Sequence, residues 1–197
     1  MIQKDIPNCF LPVTQLTEKL EKGVLSSLEL IEEYLERIRK HDRNLGAFID
    51  FYEEDARKAA SASDMARSSG HIIGPLQGIP VAVKDVIDIE GKITTGGSMV
   101  WKDRRSSLTA TLVRRMVEAG MIVLGKTHTV EFAMGSFGTN QHMGSPKNPW
   151  DLEEHRATGG SSAGTAAAVA AGLTPWGIGT DTGGSVRIPS AWCGLTG

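Results

Sequence analysis

The sequence predicts an α/β fold, a mixed and mainly parallel β-sheet covered by helices. Three observations carry that expectation. Short apolar runs at 79–84, 121–124 and 175–178 alternate with helix-like stretches, as in a sheet whose strands are joined by helical crossovers. Glycines punctuate the alternation, with Gly78 before one strand and Gly120 after one helix. The 197 residues are 40% hydrophobic and 22% charged, enough apolar material for one large domain with a substantial core.

Taken in order, the first part reads as helical. Ser26 followed by Glu29 forms a capping box, and Leu28, Ile31, Leu35 and Ile38 recur at a spacing of three to four on one face. Residues 55–67 are alanine-rich, and Ser68-Ser69-Gly70 ends the helix they predict. The domain expectation is therefore a helical lead-in over 1–70 and an α/β core over 71–197. Within that core, residues 108–119 predict an amphipathic helix presenting Leu108, Leu112 and Met116. A long loop from 134 to 160, rich in Gly, Asn, Ser and Pro, leads into a helix near 162–171, and loops of that length usually carry function.

Charge and cysteines exclude several classes. A net charge of −2 gives no bulk basic surface for nucleic acid, and the pairs Arg104-Arg105 and Arg114-Arg115 are too short for a docking patch. Cys9 and Cys193 fit no metal spacing, and Cys193 reads as a buried small hydrophobe. His128, His142 and His155 read as packing or surface residues, with no metal-binding spacing among them. No segment approaches a membrane span. Residues 1–5 carry an early acid and no signal-like apolar stretch, so a reducing cytoplasm is expected.

Two glycine-rich turns each present a serine: Gly159-Gly160-Ser161-Ser162-Ala163-Gly164 and Gly179-Thr180-Asp181-Thr182-Gly183-Gly184-Ser185. Glycine lets backbone N–H groups converge on a ligand, and a serine beside them has the nucleophile and the oxyanion donors of acyl transfer. Read singly, Ser161, Ser162 and Ser185 are equally good helix caps, and Ser185 also suits an anion-binding nest with Gly183 and Gly184. No phosphate-loop string and no Gly-x-Ser-x-Gly elbow is present. No histidine base lies near either turn, which draws attention to Lys84 among Val81, Val83 and Val86. Buried, that lysine would lose proton affinity and act as a base; as an ordinary strand-end lysine, its head would sit in solvent.

Together with Gly78-Ile79-Pro80-Val81, Gly125-Lys126-Thr127, residues 131–136 and Lys147-Asn148-Pro149-Trp150, these elements resemble the amidase signature family of serine hydrolases over about residues 75–197. The resemblance implies a Ser–cis-Ser–Lys triad: Ser185 as nucleophile, Ser161 as bridging serine after a cis peptide bond, and Lys84 as base. It also implies an oxyanion hole from the N–H groups of Thr182, Gly183, Gly184 and Ser185, and an acyl pocket lined by Met134, Gly135 and Ser136. Ser162 and Asp181 are expected to support the triad. Arg187 is open to two roles, pairing with a substrate carboxylate or with Asp181, and the internal pair is the favoured one. No cofactor and no metal are expected.

The activity implied is hydrolysis of a carboxylic acid amide to acid and ammonia or amine. The first alternative is the amidase-type component of a glutamyl-tRNA amidotransferase, although residues 127–131 and 138–142 look closer to free-standing amidases. The second is an inactive or partner-dependent structural chain, because family members run well beyond position 197 and this one reads as the first half of their domain. The expected partners are a small-molecule amide and either a second copy of the chain or the remaining C-terminal half.

Overall fold

In the computed structural model, which describes residues 6–197, four strands among those residues form one sheet in the order β1-β3-β2-β4. They are β1 (Phe48–Phe51), β2 (Pro80–Lys84), β3 (Ile122–Thr127) and β4 (Gly177–Ile178). β2 runs parallel to both β3 and β4, while β1 pairs antiparallel with β3 at the other edge. The mixed, mainly parallel α/β sheet expected from the sequence is what forms. β1 falls inside the stretch expected to be helical. Residues 1–5, read above for a leader, lie outside the described residues.

The helices are α1 (Val13–Glu21), α2 (Ser27–Arg37), a one-turn α3 (Arg43–Leu45), α4 (Glu53–Ser68), α5 (Thr111–Glu118), α6 (Ala163–Ala170) and α7 (Arg187–Cys193). α2 starts on the capping box: Ser26 Oγ accepts from Glu29 N and the Glu29 carboxylate accepts from Ser26 N. The chain turns from α3 into β1 because the buried Asp42 carboxylate accepts from Ala47 N and Phe48 N at 2.7 and 3.1 Å. None of the described helices is long and apolar enough to cross a membrane.

Alternation along β2 divides the core into two layers. Ala82 packs with Ile122, Leu124, Ala167 and Ala168 and with the inner faces of α1, α2 and α4. Val81 and Val83 turn the other way, onto Val113 and Met116 of α5. Residues before and after position 70 thus share one core. The expected face of α5 needs correction. Val113 and Met116 are buried while Leu108 and Leu112 are 57% and 43% exposed, because the covered stripe runs one residue further round the helix.

α6 is the helix that lies against the sheet, touching all four strands. Its residues from Ala163 to Ala168 are buried, and their side chains are small enough to admit the backbone of β3 and the turn before β1. At Gly164 there is no room for a side chain: a Cβ would collide with Ala47 O and His128 N. That close approach fixes the start of α6, and hence the first serine turn, against the end of β3.

A buried ion pair ties down the segment after β2. Lys126 Nζ donates to Asp85 Oδ1 and to Thr94 Oγ1, both at 2.9 Å, and the side chains of Lys126 and Asp85 are 0% and 1% exposed. Burial pushes the Lys126 ammonium toward neutrality, while Asp85 pulls it back. The other Asp85 oxygen accepts from Thr95 N at 3.0 Å and from Thr95 Oγ1, and Asp85 O accepts from Gly96 N. The turn at 94–97 is thereby pinned to the ends of β2 and β3.

Both features can be measured. Gly164→Ala should cost about 1–3 kcal/mol of unfolding free energy in urea titrations, and a change below about 0.5 kcal/mol would contradict the packing described. Asp85→Asn should cost about 3–5 kcal/mol by the same measurement, since it leaves the Lys126 ammonium buried without its counter-charge. A near-neutral result would show that this pair does not hold the segment.

Candidate active site

Strand β2 ends on Lys84, whose neighbour Ala82 faces α6, so strict alternation sends the Lys84 side chain to that same side. There it is fully buried. Its Nζ donates to Ser161 Oγ at 2.7 Å and to Thr180 Oγ1 at 2.9 Å, with a longer contact to Thr180 O at 3.5 Å. Val81 and Val83, which suggested an apolar setting, lie on the opposite face. The enclosure comes from the serine turn and α6. Burial pushes the Lys84 ammonium from its ordinary 10.5 down to about 8, with Asp181 alone pulling in the other direction.

Ser161 is fully buried in the turn that leads into α6, and the Gly160–Ser161 peptide bond is cis. The turn is bound on several sides. Gly160 N donates to Ser136 O at 2.7 Å, Ser161 O accepts from Val130 N at 3.2 Å, and Ser162 N donates to Ser185 O at 3.1 Å. The last of these bonds lays the second serine turn directly against the first. Ser162 Oγ makes 3.4 Å contacts with the backbone N and O of Thr180, bracing the same junction.

Asp181 organises the second turn. Its carboxylate accepts from Gly184 N at 2.8 Å, from Val186 N and Arg187 N at 3.0 and 3.2 Å, and from the Arg187 guanidinium at 2.9 and 3.1 Å. The Arg187 contact, followed by those N–H groups, holds the carboxyl well below the usual range, so it stays ionised. Arg187 is therefore engaged internally. Gly184 departs from its expected part, because its N–H already serves Asp181. Among the described residues, the N–H groups of Thr182, Gly183 and Ser185 have no protein acceptor.

Ser185 is half-buried and lines a cavity of about 480 Å³ with Gly160, Thr180, Thr182, Gly183 and Ile188. The opposite wall is Phe132 to Ser136, which brings in all three residues expected of an acyl pocket, Met134, Gly135 and Ser136. The loop beyond this wall is held by Asn140, whose amide donates to Gly97 O and Thr129 O and accepts from His142 N and Met143 N.

Sequence reading missed two features. Thr180 holds the lysine through a hydroxyl that lies within the glycine-rich string but resembles its neighbouring threonines. Phe132 and Ala133 both adopt left-handed backbone, at φ 50° and 59°, and no residue type there announced it. His128 is buried and Cys193 is packed against Thr158 O, in line with their structural readings. No group of three or more potential metal ligands occurs among the described residues.

Comparison with known proteins agrees with this geometry. The Amidase family model matches residues 29–197. The amidase-type component (component A) of the glutamyl-tRNA(Gln) amidotransferase of Chromohalobacter salexigens is 46% identical over 185 residues, 94% of this chain and 37% of that protein. Among solved structures, the native peptide amidase of Stenotrophomonas maltophilia superposes with a TM-score of 0.87 at 38% identity, over 94% of this chain and 39% of its own. A chain described in a vestigial complex that reveals the origins of an s-triazine catabolic enzyme gives 0.90, also at 38%, over 93% and 40%. The chain thus spans about two-fifths of the length of the relatives it matches. On the family match across most of its length, and on the fold shared with these structures, the chain belongs to the Amidase family.

Proposed function

We propose that this chain carries the acyl-transfer centre of an amide hydrolase, with Ser185 as nucleophile, Ser161 as proton bridge and Lys84 as base. The observation that carries the reading is a fully buried lysine hydrogen-bonded at 2.7 Å to Ser161 Oγ, in a turn bonded directly to the Ser185 backbone. With its proton affinity lowered to about 8, about one Lys84 in ten is neutral at pH 7, against about one in three thousand at the ordinary 10.5.

Each step then has a named group. Neutral Lys84 takes the hydroxyl proton of Ser161, which takes that of Ser185 as its Oγ bonds to the amide carbon. Negative charge develops on the former carbonyl oxygen, toward the N–H groups of Thr182, Gly183 and Ser185. Gly184 is omitted from this donor set because Asp181 occupies its N–H. As the C–N bond breaks, the proton returns along the relay to the departing nitrogen. Water then repeats the sequence on the acyl-enzyme, releasing the acid. Asp181, Ser162 and Arg187 support the turn, while Met134, Gly135 and Ser136 contact the acyl side.

A second reading is favoured by the amidotransferase relative named above: the same centre releasing ammonia from glutamine for a partner protein. Glutamine-dependent amide transfer in the presence of such a partner separates it from free-standing hydrolysis. The division into a lead-in over 1–70 and a core over 71–197 is kept as an organisational proposal. A cytoplasmic setting is proposed on the two buried, unpaired cysteines.

Acylation should follow the deprotonation of Lys84. Below pH 8 the rate of Ser185 labelling by a fluorophosphonate should rise about tenfold per pH unit and level off above it. A flat profile between pH 6 and 9 would count against Lys84 as base. Peptide mapping should place the label on Ser185, and Lys84→Ala should slow labelling about 10²- to 10⁴-fold at pH 7. Label recovered on another residue would sink the assignment.

A further inference from the structure

The geometry points to Phe132 as a specificity-determining residue: its ring, locked in place by Trp101, forms an apolar wall that selects amides bearing an aryl or branched-alkyl acyl group. This inference rests on the acyl-transfer reading above and names the substrate class for the same cavity. Phe132 occupies φ 50°, ψ 26°, a conformation that a bulky side chain rarely adopts, and Ala133 follows it at φ 59°. The backbone is held there by Phe132 N donating to Gly96 O at 2.7 Å, Ala133 N to Val130 O at 2.9 Å and Met134 N to Glu131 O at 3.0 Å. Glu131 is itself fixed by Ser98 Oγ at 2.7 Å.

The side chain is held as firmly as the backbone. The Phe132 and Trp101 rings meet edge to face, with centroids 5.0 Å apart and planes at 83°. Both rings close over Gly96, where a Cβ would lie 3.3 Å from Trp101 and 3.6 Å from Phe132. On its other side Trp101 carries the Arg104 guanidinium at 5.0 Å, and Arg104 is clamped by both Asp88 oxygens at 3.0 and 3.2 Å. Asp88 accepts from Ser106 Oγ, which reaches Thr94 and so the buried Lys126–Asp85 pair. A ring supported this thoroughly nevertheless remains 46% exposed, on the cavity side that also holds Ser185.

That combination is hard to explain as packing. A core aromatic would be covered, and a loop residue without a task would relax out of the left-handed region or be glycine. The remaining wall suits the same guest: Ala133, Met134 and Ile188 add apolar surface, and the side chains lining this cavity carry no formal charge. Arg187 and Asp181, the nearby charges of the second turn, neutralise each other. A flat or branched hydrocarbon group would gain contact here, whereas a small polar acyl group would leave the ring in water.

The test compares phenylacetamide with acetamide, their affinities measured by ligand-observed NMR, which reads binding with or without turnover. The protein should hold phenylacetamide about tenfold more tightly. Phe132→Gly should abolish that preference while its melting temperature stays level or rises, because glycine is at ease at this φ. Should that variant fail to fold, Phe132→Asn carries the comparison, since asparagine also tolerates the conformation but presents a polar surface. Equal affinities in the unmodified protein, or a preference that survives both substitutions, would overturn the proposal. Selective binding without any Ser185 labelling would instead defeat the acyl-transfer reading and leave the role of Phe132 standing.

Discussion

Lys84 is enclosed completely yet hydrogen-bonds only to hydroxyls and a carbonyl, and among the described residues it forms no ion pair. A cation in that position loses most of its hydration and recovers little, which is why its proton affinity falls. Lys126 makes the contrast within the same sheet. It is equally buried and lies beside Val83 in the β2–β3 register, but Asp85 supplies its counter-charge. One buried lysine is built to stay charged and structural, the other to give up its proton. The serine turns, α6 and the Thr180 hydroxyl all serve to keep that second environment closed.

This constraint explains why the surroundings are so heavily tied. α6 must approach the sheet closely enough to bring Ser161 to the end of β2, and small residues make that approach sterically feasible. Asp181 must stay close enough to shape the second turn without restoring full charge to Lys84. Its engagement with Arg187 and three backbone N–H groups spends much of its field locally. The wall opposite Ser185 is set by the segment after β2, whose anchor is the Lys126–Asp85 pair. Catalytic lysine, serine relay and cavity wall therefore radiate from the adjacent ends of β2 and β3.

Much of this was legible in the sequence, and unevenly so. The β2 run, the serine turns and the alanine-rich α6 announce themselves because glycine spacing and apolar runs are local signals. The facing of side chains is less local. Periodicity placed Leu108 and Leu112 on the inner face of α5, yet the sheet covers Val113 and Met116. Val81 and Val83 suggested an apolar shell for Lys84, but alternation turns them away from it. β1 escaped notice because Phe48-Ile49-Asp50-Phe51 is short, sits between helices and gains its identity only by pairing with β3. Gly184 shows the same limit: its N–H looks available in the string and is claimed by Asp181 in three dimensions. The left-handed Phe132 had no sequence signal, since its conformation is imposed by Gly96 and Trp101 from a distant loop.

The central claim is that Lys84 is poised to be neutral near physiological pH. It is tested most directly by titrating the Lys84 ammonium in protein labelled with ¹³C,¹⁵N-lysine, its resonance assigned by its loss in Lys84→Met. A midpoint at about 8, well below those of the exposed lysines, is the expected result. A midpoint at or above the ordinary 10.5 would show a conventional charged lysine and contradict the account.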